Sequence, residues 1–240
     1  MSAAPVFPPL MTGRAAEAED PFLLACEEAE SDGDPGLLVW RVTSETLSAA
    51  LVLVPESLLE PAMAGFIACA VGLQNALGAL APPETAVHLD WSGGIILNGA
   101  EAGRLRVAAP SRDPAEEPDW LVVGFDLALS LPPGAEPGES PGRTALDQEG
   151  CGGLDPLRLL EAWSRHTLLW LNALDDAEGR ADLHREWQGL AWKLGETVAV
   201  TVAGLQEAGR FLGADENFGM LIETGGTTRL IRLSALIEEV

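Results

Sequence analysis

The chain has 240 residues, 47% of them hydrophobic, and its 14 Lys+Arg against 37 Asp+Glu leave a formal net charge of −23. That is apolar material for one ordinary domain plus a small appendage, and too much for a disordered chain. The acid excess repels phosphate backbones, which excludes nucleic acid as a direct partner and gives no help in gathering an anionic nucleotide.

Cys26, Cys69 and Cys151 are odd in number, far apart and set among small or apolar neighbours, without a Cys-x-x-Cys pair. Neither a zinc site nor a disulfide framework is indicated, which points to a reducing cytoplasm. The start, MSAAPVFPPLMTGR, lacks the basic-then-apolar order of a secretory leader. Residues 61–81 come nearest to a membrane span, but Gln74, Asn75, three glycines and no basic flank make this a core helix, so no membrane is expected.

In chain order, Asp20-Pro21 before FLLACEEAE predicts a capped amphipathic helix. LLVWRVT and AALVLVP read as two strands joined through Ser44 to Ser48, hence an antiparallel pair. The helix from Pro61 to Leu80 stops before Pro82-Pro83. Two strands then flank Asn98-Gly99, the strongest hairpin signal in the chain, and WLVVGFDLAL is a further buried strand. Residues 132–153 form a long Pro/Gly/Glu segment without periodicity, whose composition leaves open an ordered functional loop or a mobile one. Asp155 and Pro156 start a helix with Leu157, Leu160, Trp163, Thr167 and Leu171 on one face. His184 to Trp192 reads as a shorter helix. From Gly195 onward, ETVAVTV, GRFLGAD, FGMLIET and TRLIRLS predict short strands that close into a small β-barrel.

Generic chemistry is sparse. His88, His166 and His184 are isolated, no metal-ligand spacing occurs, and neither a phosphate loop nor a nucleophile elbow is present. Arg104 and Arg106 share one strand face, which is either an exposed face or, turned inward, an anion contact.

The informative features are HLDWSGGIILNGAEAGRLRV and the tail GRFLGADENFGMLIE, in the order strand, helix, long loop, helix, barrel. That series resembles the biotin protein ligases and their lipoate ligase and transferase relatives. In those proteins a Lys-Trp-Pro-Asn-Asp motif precedes a hydrophobic strand, a hairpin turn and a Lys-x-Ala-Gly strand. Here Trp91 matches the tryptophan, Ile95-Ile96-Leu97 the strand, Asn98-Gly99 the turn and Glu101-Ala102-Gly103 the last element. Gly124-Phe125-Asp126 matches a following Gly-x-Asn strand, and the tail looks like the family's Src-homology-3-like domain. The resemblance implies an α+β fold: a ligase-like mixed sheet packed with helices over residues 1–192, followed by a small SH3-like β-barrel over 193–240. It also implies a ligand cleft built from His88, Asp90, Trp91, Gly93, Gly94, Asn98, Ala102, Gly103, Arg104 and Asp126, and a homodimer through the central sheet.

The same comparison exposes departures. Asp90 stands at the motif lysine, Ser92, Gly93 and Gly94 stand at Pro-Asn-Asp, and a five-residue joint without arginine replaces the family's glycine/arginine-rich loop. Ligation proceeds through an acyl-adenylate whose transition state gathers negative charge, and an acid in place of a cation there costs thousands-fold in rate. The expectation is therefore a protein without catalytic residues, metal or obligatory cofactor, binding a small acyl or vitamin-like ligand or a carrier protein. The alternative is an active biotin or lipoate/octanoyl protein ligase or transferase using non-standard residues, with biotin, lipoate or ATP as its ligands. In that alternative Cys151, read as a partly exposed loop thiol, is the candidate nucleophile.

Overall fold

The computed structural model describes residues 4–31, 34–132, 134, 139–140, 142–202 and 204–240. Its elements are β1 (Thr12–Ala15), α1 (Pro21–Glu30), β2 (Leu37–Val42), β3 (Thr46–Leu53), α2 (Leu59–Ala62), α3 (Ala64–Leu80), β4 (Val87–Leu89), β5 (Gly94–Leu97), β6 (Ala100–Ala108) and β7 (Leu121–Ala128). They continue with α4 (Pro156–Ala173), α5 (Ala177–Leu190), β8 (Thr197–Val202), β9 (Leu205–Ala214), β10 (Met220–Thr224), β11 (Thr227–Ile231) and a 3-10 turn, Leu233–Leu236. The first seven strands form one mixed sheet in the order β1-β2-β3-β7-β6-β5-β4, and the last four form an antiparallel sheet in the order β11-β10-β9-β8. Among the described residues, β1 on β2 is the only parallel pairing of these strands.

Local chemistry accounts for most boundaries. Asp20 accepts a hydrogen bond from the Phe22 amide at 2.9 Å, and Asp155 accepts one from the Leu157 amide at 2.9 Å, each followed by a proline in the first turn. Asn98 and Gly99 take φ of 48° and 95°, the left-handed pair that a two-residue hairpin needs. The helix expected from Pro61 to Leu80 is interrupted at Met63, whose amide reaches back to the carbonyls of both Leu59 and Pro61. Met63 itself keeps helical φ and ψ of −60° and −13°, so the chain turns straight on into α3. The helix expected at His184 to Trp192 begins earlier, at Ala177, because Asp176 caps it through the Gly179 amide at 2.8 Å; it ends at Leu190. Trp192 lies past that end, in a turn, with its amide on the Leu89 carbonyl.

One face of the large sheet is covered by α3, α4 and α5. Leu51, Ile67, Leu105, Phe125 and Trp163 are buried there in the main core, and the Trp163 indole donates to the Cys69 carbonyl at 3.1 Å. The stretch Leu59–Leu80 is long and apolar enough to cross a membrane by length and composition, but it is largely buried as the central helix of this core. The core runs on without a break into the small sheet: Trp187 lies edge-on to Phe211 and Phe218, with ring centroids 6.4 and 6.3 Å away.

The opposite face is half covered. There α1 seals Val39, Ala50, Val52, Ala108 and Val122 with Phe22, Ala25 and Cys26. Phe22 lies so close to Gly124 that a Cβ at that position would meet its ring at 2.8 Å, which explains the glycine on an interior strand. Beyond Phe22, no helix among the described residues covers this face.

Candidate ligand-binding cleft

The uncovered half of the sheet is the floor of a cleft of about 320 Å³, lined by Thr46, Ala102, Gly103, Arg104, Asp126 and Ala128, with Glu45, Glu101, Arg143 and Thr144 at its rim. Strand register decides which side chains reach that floor. Arg41 pairs with Ser48, Ser48 with Asp126, and Asp126 with Arg104, so these four residues form one row across β2, β3, β7 and β6. Side chains in register on neighbouring strands share a face. The next row, Val39, Ala50, Gly124 and Arg106, lies under α1. The boundary between dry core and cleft therefore falls between two adjacent rows.

Each member of the polar row has a distinct setting. Ser48 donates its hydroxyl proton to Asp126 Oδ1 at 2.5 Å, which fixes the carboxylate. Arg41 turns toward the Ala18 carbonyl, at 2.5 Å, and its Nε is buried without a partner among the described residues. Arg104 is exposed, and among the described residues it joins no ion pair; Arg143 joins none either. Arg106, two residues along, is committed elsewhere. It bonds Asp20 at 2.7 Å and Glu238 at 3.0 Å and lies 4.1 Å over the Phe22 ring. Burial works to lower its pKa, but the hydrogen bonds to Glu238 and Asp20 outweigh it and raise the net value. Arg106 thus clamps α1 and the C-terminal segment to the sheet, and only Arg104 of the pair opens to the cleft.

The rim is built by the long loop. The described residues from Gly142 onward lie along the β6 end: the Glu101 amide donates to the Gly142 carbonyl at 2.9 Å, and the Thr144 amide to the Glu101 carbonyl at 2.9 Å. Glu149 ties this segment down, accepting from Thr144 Oγ1 at 2.5 Å and from Asn98 Nδ2 at 2.6 Å. Arg143 lines the cleft from this segment, where no periodicity or motif marks it in the sequence.

Of the ten residues expected at a cleft, the structure brings Ala102, Gly103, Arg104 and Asp126 together. The remainder stand elsewhere. Trp91 is 1% exposed, and its indole donates to the Phe218 carbonyl at 2.9 Å, so it joins the large sheet to the small one. Asp90 Oδ1 accepts from both the amide (2.8 Å) and hydroxyl (2.5 Å) of Ser92, closing a tight turn on itself. Gly93, at φ 101°, and Gly94 complete that turn, and a side chain at Gly93 would meet the Leu105 carbonyl at 2.8 Å. Asn98 holds the hairpin, accepting from the Ala86 amide at 2.9 Å. His88 lies on the edge strand against Trp192, at a centroid distance of 5.3 Å.

The cysteines are no better placed for nucleophilic chemistry. Cys151 is 2% exposed, not the partly exposed thiol that its Gly-rich surroundings predict, because its amide bonds Leu146 and folds it under the loop. Burial pushes the Cys26 thiol up to about 12 and raises that of Cys69 as well. Among the described residues no three His, Cys, Asp or Glu side chains converge as they would around a metal ion.

A mixed sheet packed with helices and followed by a small antiparallel sheet is a fold shared with biotin protein ligases. Residues 7–189 match the biotin/lipoate A/B protein ligase family, and the chain belongs to that family. Residues 194–239 match a separate domain of unknown function (DUF4444). A crystal structure of a biotin protein ligase-like protein of unknown function from Silicibacter sp. superposes with a TM-score of 0.90 at 52% identity, covering 98% of this chain and 100% of that one. A point mutant of the Aquifex aeolicus biotin protein ligase in complex with biotin gives 0.70 at 17% identity, covering 93% and 96%. The enzyme from the same organism in complex with biotin and ATP gives 0.68 at 16% identity, covering 93% and 96%. No match was found among curated protein sequences.

Proposed function

We propose that this chain is a binding protein on the ligase fold, whose cleft holds a small carboxylate-bearing acyl or vitamin-like ligand without activating it with ATP. The observation that carries this reading is Asp90. At the position where the family resemblance calls for a lysine, the side chain is an acid folded into its own turn with Ser92. Asp90 closes a turn outside the cleft, so no cationic donor reaches a polyphosphate from this position. Further support comes from the β2–β3 joint, where Thr43 Oγ1 accepts from the amides of Glu45 (3.2 Å) and Thr46 (3.0 Å). This tight turn has no arginine and no length to fold over a nucleotide. The Lys-x-Ala-Gly pattern, matched at Ala102-Gly103, begins here with Ala100.

What the cleft retains is anion recognition. Arg104 and Arg143 stand at its floor and rim, neither in an ion pair among the described residues, and guanidinium pairs bidentately with a carboxylate. The volume suits a ligand at the small end of the usual range. Isothermal titration with biotin, lipoate and octanoate, each with and without ATP, tests the reading. Binding of at least one of them is expected without ATP, unaltered by ATP, and weakened about ten-fold or more in Arg104→Ala. If none of these acids and no amino-substituted analogue of them binds, or if binding requires ATP, the reading fails.

A further inference from the structure

Resting on that reading of the cleft, we infer that its ligand is a 2-amino carboxylate: the carboxylate meets Arg104 and Arg143, and the neighbouring ammonium meets Asp126. Three features of the polar row carry this.

The first is adjacency. Arg104 and Asp126 are direct cross-strand partners, about 5 Å apart at their Cα atoms. Yet they form no ion pair with one another. A cation and an anion presented side by side on one face match an anion and a cation on one carbon. The second is orientation. Ser48 Oγ donates to Asp126 Oδ1 at 2.5 Å and is itself buried, so the carboxylate is held from the neighbouring strand and its other oxygen remains for a ligand. The third is charge. Among the described residues the cleft is lined by Glu45, Glu101 and Asp126 against Arg104 and Arg143, three acids to two bases. A simple fatty acid would add a fourth negative charge to this set within a chain of net charge −23. A ligand bringing its own ammonium adds none.

The rest of the floor receives the side chain of such a ligand. Ala102, Gly103 and Ala128 leave a shallow apolar strip beside the charged pair. Gly103 stays side-chain-free because its Cβ would strike the Asp126 carbonyl and the Leu127 backbone.

The test compares octanoate with 2-aminooctanoate, which share chain length and carboxylate and differ by the ammonium alone. By calorimetry, wild type is expected to bind 2-aminooctanoate about ten-fold tighter than octanoate, or more. In Asp126→Asn, which keeps an acceptor for Ser48, the preference is expected to shrink to about two-fold or less at unchanged thermal midpoint. Equal or tighter binding of octanoate by wild type overturns the inference and leaves the carboxylate-binding reading intact. A preference that survives in Asp126→Asn overturns it too. If neither compound nor biotin nor lipoate binds, the cleft reading itself fails and takes the inference with it. Should Asp126→Asn unfold, Asp126→Ser takes its place with the same expected loss of preference.

Discussion

Trp91→Ala is expected to lower the unfolding free energy by about 4 kcal/mol, the largest loss from any single side chain considered above. Trp91 is buried at the seam between the two sheets, and its indole N–H is spent on the Phe218 carbonyl. Truncation opens a cavity the size of an indole and leaves a buried carbonyl without its donor, and both effects act in the same direction. Trp91→Phe keeps most of the packing and loses only the hydrogen bond, so its expected cost is about 1–2 kcal/mol. Urea denaturation followed by far-ultraviolet circular dichroism measures both. An alanine variant within about 1 kcal/mol of wild type would contradict the seam. Because Trp91 lies outside the cleft, the phenylalanine variant is also expected to bind ligand as wild type does.

The second large effect comes from two glycines of α3 with opposite outcomes. At Gly72 a Cβ would lie 2.8 Å from the Thr167 amide nitrogen and 2.9 Å from its Cα, with the Thr167 hydroxyl closer still. These are backbone atoms of α4, so no rotamer change relieves the contact, and the two helices must separate. Gly72→Val is expected to cost about 3 kcal/mol or more, the upper end of overpacking losses. Six residues further on, Gly78 is exposed, and a Cβ there would find only the Gln74 amide nitrogen at 4.0 Å. Gly78→Ala removes backbone entropy from the unfolded chain without a clash and is expected to stabilise by about 0.5–1 kcal/mol. Loss at the first site and gain at the second test the α3–α4 packing directly; equal effects would mean that the helices do not meet at Gly72.

Much of the fold is legible because its signals are local. Asp20-Pro21, Asp155-Pro156 and Asn98-Gly99 each mark an element end through their own backbone preferences, and the apolar face of α4 repeats at helical spacing. β1 has no such signal: Thr12–Ala15 is exposed along its length and is a strand only because β2 supplies a parallel edge. The early start of α5 hides in Asp175-Asp176, which by composition is simply solvated charge although Asp176 is a helix cap. The cleft is less legible still. Its polar row gathers residues 41, 48, 126 and 104, and their adjacency depends on three successive strand registers that no short motif encodes. Family resemblance finds Ala102, Gly103, Arg104 and Asp126 but draws in Trp91 and Asp90 with them. The side chain of Trp91 turns into the core, and that of Asp90 closes a turn on itself.

The departures at Asp90, at Ala100 and in the β2–β3 joint bear on one central claim, that the cleft binds a carboxylate and leaves it unactivated. The most direct measurement is AMP release from ATP by the full-length protein, with biotin, lipoate or octanoate and an acceptor carrier domain, against a protein-free blank. The account predicts AMP at the level of the blank for every acid, alongside calorimetric binding of at least one of them. Acid-dependent AMP release above the blank would contradict it and make this chain a working ligase.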